Sequence, residues 1–233
     1  MNLISNLLGD VLRIIFEFVQ QYGLAIIIFT IFVKLLLLPL TIKQTKSTKA
    51  MQDMQPKMQE IQEKYKNKPE KQQQEIMNLY KEYKVNPLAG CLPLLIQMPI
   101  LIALFNVLRE PVTYGVFTSQ AAFTNADVGF LWIQSLTKPD YILAVLSGAS
   151  TFGMQMLMMP KDQQQGSMKI MTYVMSGMML LWGFKFPAGL TLYWTVGNLF
   201  AIAQHYLIMN PLKAKLANSK EEVIYEKKPR NKK

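Results

Sequence analysis

Apolar and polar positions fall in long blocks along this chain rather than in the short alternations of a soluble fold. Five stretches of about 15–24 residues carry no charge or a single one. A bilayer core needs roughly 20 apolar residues per helix. The pattern predicts spans at Tyr22–Ile42, Leu88–Leu108, Tyr141–Met159, Ile170–Phe184 and Phe186–Met209. The fourth is short and is expected to begin a turn earlier. Pro93 and Pro99 interrupt the second, which neighbouring helices can accommodate.

Two polar regions have helical periodicity of their own. In residues 1–21, Leu3, Leu7, Val11, Ile14, Ile15 and Phe18 share a face, and Asn6, Asp10, Arg13 and Glu17 lie off it. An amphipathic helix lying on the membrane interface is expected. It has neither the basic n-region nor the cleavage site of a signal peptide. In residues 43–87, Met51, Met54, Met58, Ile61 and Tyr65 recur at three- and four-residue steps. Ile76, Leu79, Tyr80 and Tyr83 do so after the Asn67-Lys68-Pro69 break. Pro69 suits a first helical turn, so two antiparallel helices are expected, with a Glu60–Lys64 ion pair on the first. Forty-five structured residues are many for a connector. Met54, Met58, Tyr65, Tyr80 and Tyr83 are its candidate docking residues. Residues 88–209 then hold spans two to five, and 210–233 form a basic tail.

Composition agrees with a membrane protein. Of 233 residues, 51% are hydrophobic and 17% charged, against roughly 25% charged in soluble domains. A soluble enzyme, a coiled coil and a disordered chain are excluded. One cysteine, Cys91, and one histidine, His205, make a disulfide framework or a Cys- or His-rich metal site untenable. No cofactor is expected. The net charge of +10 suggests nucleic acid until it is mapped. Residues 43–87, 160–169 and 210–233 hold twenty Lys and Arg; 1–21, 109–140 and Lys185 hold four. Five spans put the three rich segments on one side, which the positive-inside rule makes cytoplasmic. The basic excess therefore reads as topology and contact with anionic lipids, not DNA binding. The N-terminus is expected outside and the C-terminus inside.

Lys34 is the costly residue. It stands twelve positions after Tyr22 and nine before Lys43. A central lysine costs roughly 2.5–3.5 kcal/mol on insertion scales. No other predicted span contains Asp or Glu, which nearly excludes an ion pair within the membrane; a hydrated cavity is expected ahead of a lysine that snorkels to the inner headgroups. Polar stripes support one: Thr30, Lys34 and Thr41; Ser147, Thr151 and Gln155; Thr172 and Ser176; Thr191, Trp194, Asn198 and His205; and Gln97 in span two. A single stripe is more often helix–helix glue than a pathway. Nine methionines around spans three and four offer an adaptable apolar surface or plain lipid-facing filler.

Three segments carry a family resemblance: FVKLLLLPLTIKQTKSTKAMQDMQ from Phe32, NPLAGCLPLLIQMPILIALF (Asn86–Phe105) and FPAGLTLYWTVGNLFAIAQ (Phe186–Gln204). In motif, order and spacing, about residues 20–210 resemble YidC-type membrane protein insertases, in the Gram-positive form of that family. That form usually opens with a lipoprotein signal and a lipidated cysteine, and residues 1–21 differ from that pattern. The resemblance implies an all-α polytopic membrane protein: five transmembrane helices, a cytoplasmic helical hairpin and an N-terminal interfacial helix. It implies a hydrophilic groove open to cytoplasm and lipid, closed outside, in the bacterial plasma membrane. The family's groove charge is ordinarily Arg; Lys34 stands there, a compact ammonium replacing a planar fork. Trp194 matches the family's tryptophan in the last span, and Gln155 a polar groove position in the third.

The expected function is insertion and folding of small membrane proteins, without enzymatic chemistry. Lys34, Thr30, Gln97, Gln155, Trp194 and Asn198 are the candidate groove residues. Nascent membrane protein clients are the expected partners, with the ribosome, the Sec channel and targeting factors as further ones. The client's apolar segment is expected to leave along spans three and five. There is no GxxxxGK[ST] motif, so hydrophobic transfer and the membrane potential must drive the process. A small transporter or channel is the alternative; it predicts an inverted repeat and paired ionisable groups at midplane, and neither is present. An intramembrane hydrolase lacks a His or Asp partner for Ser147, and a mere scaffold leaves Lys34 unexplained.

Overall fold

The computed structural model describes residues 2–83, 92–127, 129–158 and 167–209. Nine α-helices make up almost all of them: α1 (Asn2–Val19), α2 (Tyr22–Leu36), α3 (Leu38–Lys64), α4 (Pro69–Glu82), α5 (Leu92–Arg109), α6 (Gln120–Ala126), α7 (Tyr141–Met158), α8 (Ser167–Gly183) and α9 (Ala188–Gln204). A π-helical turn, His205–Met209, continues α9. Among the described residues no single helix is long and apolar enough to cross a membrane. Tyr22–Leu36 with Leu38–Gln44 passes that test as a pair bent by 52°.

That bend corrects the reading of a straight first span. Pro39 stands in the first turn of α3 and has no N–H to give the Leu35 carbonyl. The chain breaks at Leu37 and restarts in a new direction. The first arm of the predicted hairpin and the last part of predicted span one are therefore one helix, α3, of 27 residues. At its far end the chain turns through residues 65–68, and α4 begins at Pro69. The arms touch through Gln72 Nε2, which donates to the Gln62 carbonyl at 2.9 Å, and through Tyr80 Oη, which donates to Met58 Sδ at 3.8 Å.

Helix α9 is central, packing on α2, α5 and α7, while α8 packs on α7. Leu104, Val107 and Leu108 of α5 and Tyr22, Ala25, Ile26 and Phe29 of α2 are buried with Leu190 and Tyr193 of α9. Helix α8, Ser167–Gly183, covers most of the predicted fourth span.

One end of the bundle is closed by α1 and residues 110–140. The rings of Phe16, Tyr22, Phe117 and Phe123 meet edge-on or tilted at 4.8–6.3 Å. Asp127 organises the loop beyond α6. Its carboxylate accepts from the Leu136 N–H at 2.8 Å, Ser135 Oγ at 2.6 Å and Thr137 Oγ1 at 3.2 Å. The loop's carbonyls in turn accept from α9: Ala188 N–H to Lys138 at 2.9 Å and Gly189 N–H to Leu136 at 2.8 Å. Pro187 caps α9 with no side-chain bond, so the loop satisfies helix-start donors that would otherwise lack partners.

Helix α1 differs from the single apolar face read from its sequence. Its apolar residues divide into two stripes. Gly9 and Leu12 are buried against the bundle, with Leu8, Val11, Ile15 and Phe16 half-buried beside them. Leu3, Leu7, Ile14 and Phe18 face outward, exposed. Asp10 and Arg13 pair at 3.2 Å on the polar strip. Gly9 permits the close approach: a Cβ there would collide with the Tyr114 carbonyl.

Candidate functional site

The site is best built outward from α9, whose consecutive faces meet different helices. Toward α7, Trp194 and Asn198 reach one cluster. Trp194 Nε1 donates to Thr151 Oγ1 at 3.0 Å. The tip of the Asn198 amide lies 2.9 Å from Thr151 Oγ1 and 3.1 Å from Ser150 Oγ. The same atom position is 3.2 Å from the indole N–H of Trp194 and 3.3 Å from the Thr151 backbone N–H. Both are obligatory donors and require an acceptor, so it is the Asn198 carbonyl oxygen that faces α7. Thr151 Oγ1 bonds back to the Ser147 carbonyl at 2.8 Å and Ser150 Oγ to the same carbonyl at 3.0 Å. This is a polar seam between two helices.

Toward α5, Gln97 Nε2 donates to Tyr193 Oη at 3.0 Å. Toward α2, Gly197 faces Lys34. A Cβ on Gly197 would stand 3.1 Å from Lys34 Cε, 3.5 Å from Nζ and 4.0 Å from Thr30 Cγ2. The lysine stem thus lies across α9, half-buried. Among the described residues nothing bonds or ion-pairs with Lys34 Nζ. Lys34 is in the last turn of α2, where the helix dipole favours a cation and Pro39 leaves the Leu35 carbonyl without its usual donor. The 52° bend between α2 and α3 follows three residues later.

The candidate groove residues therefore part company. Lys34, Gln97, Trp194 and Asn198 all converge on α9 or lie in it. Thr30 is buried and its hydroxyl donates to the Ile26 carbonyl at 2.6 Å, so it lines no open surface. Thr172 and Ser176 are likewise buried, with Ser176 Oγ donating to the Thr172 carbonyl at 2.8 Å. Gln155 is half-buried on α7, one turn past Thr151, and makes no hydrogen bond among the described residues. Much of the apparent polar lining is thus helix glue, as hydroxyls bonded to their own helix commonly are. Sequence reasoning missed Ser150, Tyr193 and Gly197. The signal for Gly197 was a glycine one residue from Asn198; what it faces is a tertiary fact.

Hydrogen bonds of Trp194 and Asn198 with Thr151 and Ser150 join α7 to α9. A crevice of about 30 Å³ opens between α5 and the α8–α9 pair. Leu101, Met179, Trp182, Phe186 and Leu190 give it an apolar wall, and Ser147, Thr191 and Trp194 form its floor. The Phe186 ring meets those of Trp182 and Phe105 in tilted contacts, each with centroids 5.6 Å apart.

In the α3–α4 pair, Met54 is fully buried, and Met58, Tyr65 and Tyr80 are half-buried. Tyr83 is exposed, with Lys57 Nζ 4.9 Å from its ring centroid; the Tyr83 hydroxyl raises Lys57 above the ordinary lysine value. The expected Glu60–Lys64 ion pair does not form. Lys64 and Lys71 each sit 5.5 Å from the Tyr65 ring instead. Cation–π contact at an exposed site competes with a surface ion pair worth as little. No cluster of His, Cys, Asp or Glu among the described residues could hold a metal ion.

The site is thus a bent helical bundle with a polar seam, an apolar lateral crevice and a cation with no partner among the described residues. The family model for the 60Kd inner membrane protein matches residues 14–215, and the chain belongs to that family. It is 44% identical to the membrane protein insertase YidC of Fusobacterium nucleatum over 89% of this chain and 96% of that protein. To the insertase YidC of Clostridium perfringens it is 43% identical, over 94% and 95%. To the insertase MisCA of Bacillus subtilis it is 46% identical, over 82% and 72%. Its fold matches a crystal structure described as an active YidC insertase with its first transmembrane domain resolved. The TM-score is 0.67 at 29% identity, over 88% of this chain and 46% of that one.

Proposed function

We propose that this chain is a membrane protein insertase of the bacterial plasma membrane, acting without a cofactor or covalent chemistry. The observation that carries this reading is Lys34: a half-buried cation lying against the uncharged helix α9, with no acceptor among the described residues. A charge so placed is available to a transient partner. A client's acidic tail supplies the missing anion, and attraction in a partly dry site exceeds that in bulk water. The α5–α8 crevice offers the client's apolar segment a wall of Trp182, Phe186, Leu101 and Met179 on its way to lipid. The family membership supports the same conclusion.

In this reading the α3–α4 pair and the basic tail face the cytoplasm, and α1 with residues 110–140 closes the other side. The bent α2–α3 pair and α5, α7, α8 and α9 make five crossings. The exposed apolar stripe of α1 rests in lipid beside its polar strip. The α3–α4 pair receives nascent clients, the ribosome, the Sec channel or targeting factors through exposed Tyr83 and the lysines around Tyr65.

The test is protease mapping of newly made single-span proteins with matched acidic and neutral tails, in cells depleted of this protein and supplied with variants at equal levels. Lys34→Arg retains insertion of both clients. Lys34→Ala weakens the acidic-tailed client selectively, and Lys34→Glu weakens it more through repulsion. Equal yields of both clients from the unmutated protein and Lys34→Ala would remove the electrostatic step. Full insertion of both clients in depleted cells would remove the insertase reading itself.

A further inference from the structure

Glycines in this bundle serve two different purposes. At Gly183 an added Cβ would meet Ala144 Cβ at 2.7 Å and Cα at 2.8 Å. At Gly148 it would meet Leu180 Cβ at 3.1 Å and the Ser176 carbonyl at 3.4 Å. Those glycines let helix backbones approach, the common use of small residues between membrane helices. Gly197 is unlike them. Every atom within 4 Å of its would-be Cβ belongs to a side chain of α2, and the two nearest are Cε and Nζ of Lys34. No backbone needs the space. Glycine is a poor helix former in an interior position, and Gly197 is buried in the middle of α9. What the helix gains there is a notch for the end of one charged side chain.

We propose that Gly197 is a positioning residue for Lys34: the missing Cβ berths the lysine Cε and ammonium against α9 and so fixes where the groove charge stands. The proposal rests on the insertase reading for its functional consequence, but its geometry is independent of it. A lysine stem has four rotatable bonds and a strongly hydrated head. Without a berth it swings toward the nearest water or headgroup. The notch holds it across the helix instead. The residue beside it, Asn198, turns toward α7 and spends its carbonyl on Trp194 and Thr151, so it is committed to a different neighbour. An alanine at 197 would press on Cε at 3.1 Å. A flexible side chain yields there more readily than a backbone, so the lysine moves and the helix pair stays.

The experiment pairs a structural with a functional readout. In proteoliposomes, acylation of Lys34 by a water-soluble amine reagent is followed by mass spectrometry for the unmutated protein and Gly197→Ala. In cells, insertion of matched acidic- and neutral-tailed clients is compared for Gly197→Ala, Lys34→Ala and the double variant at equal protein levels. The expected result is faster acylation in Gly197→Ala and a several-fold loss of acidic-tailed insertion, with the neutral client unaffected. The double variant should be no worse than Lys34→Ala alone, since the berth matters only when the lysine is present. Unchanged acylation would overturn the berth. A loss shared by both clients, or one that adds to that of Lys34→Ala, would make Gly197 a packing residue and overturn the proposal as well. If Lys34→Ala spares acidic-tailed insertion, the electrostatic reading fails and the acylation rates alone decide the berth.

Discussion

At the residue scale, the side chain with the most neighbours to answer for is Asn198. Its carbonyl oxygen faces the Trp194 indole N–H, the Thr151 backbone N–H and two hydroxyls. Interhelical hydrogen bonds in membranes average about 0.6 kcal/mol each, with a maximum near 1.7. Replacing Asn198 by Ala removes several at once and leaves the indole with Thr151 Oγ1 alone. A loss of about 1–2 kcal/mol is expected, read as a lowered midpoint of thermal unfolding in detergent. Thr151→Val should cost less, because Trp194 keeps Asn198 as its acceptor. An unchanged midpoint for Asn198→Ala would mean that the seam does not hold α7 to α9. Both partners on α9 were legible in the sequence as one polar stripe with Thr191 and His205. The division of that stripe was not. A helical period says which residues share a face, not which neighbour each face meets. Tyr193, Trp194, Gly197 and Asn198 lie within six positions yet turn to α5, α7 and α2. Thr30 shows the opposite error: its place on the face of Lys34 suggested a groove wall, but its hydroxyl is satisfied by its own helix.

At the element scale, apolar runs located the helices well because burial in lipid needs length and little else. α7 runs Tyr141–Met158 and α8 Ser167–Gly183, close to the blocks read from the sequence. The loop between α5 and α7 was opaque. Its order comes from one carboxylate that draws residues 135–137 back to 127, a contact no periodicity encodes. Ser119, which caps α6 by accepting from Ala122 N–H at 3.2 Å, was a local signal for that seven-residue helix. The Asp127 clasp has a consequence at a distance, since the loop it gathers caps the start of α9. Asp127→Ala strips three bonds to a charged acceptor, each worth about 1.5–3 kcal/mol at most. Partial exposure lowers that, and a net loss of about 2 kcal/mol is expected. Hydrogen exchange should speed up at Leu136, Ala188 and Gly189 together. Asp127→Asn keeps one carbonyl acceptor and should fall between. Exchange that rises at Leu136 while Ala188 and Gly189 stay protected would separate the clasp from the cap.

At the scale of the whole molecule, the two ends of the bundle differ in kind. One end is plugged by aromatic rings, a clasped loop and α1. The other continues into α3 and α4, which rise from the bend at Leu37 and carry much of the chain's basic charge. Lys34 sits three residues before that bend. In the proposed orientation the α3–α4 end faces the cytoplasm. The proposed orientation rests on charge: residues 43–87, 160–169 and 210–233 hold twenty of the twenty-five Lys and Arg, and basic segments commonly stay in the cytoplasm. In the proposed function a client arriving there would meet the bend and the Lys34 ammonium first and the plug last. Two exposed positions report this. Thr124 lies in α6 at the plugged end, and Asn67 lies in the turn between α3 and α4. In a Cys91→Ser background, Thr124→Cys should react with a membrane-impermeant thiol reagent in intact cells. Asn67→Cys should react only after the membrane is opened. Labelling of Asn67→Cys from outside would invert the molecule: the charged bend would then face away from newly made protein, and Lys34 would have no route to a client's tail.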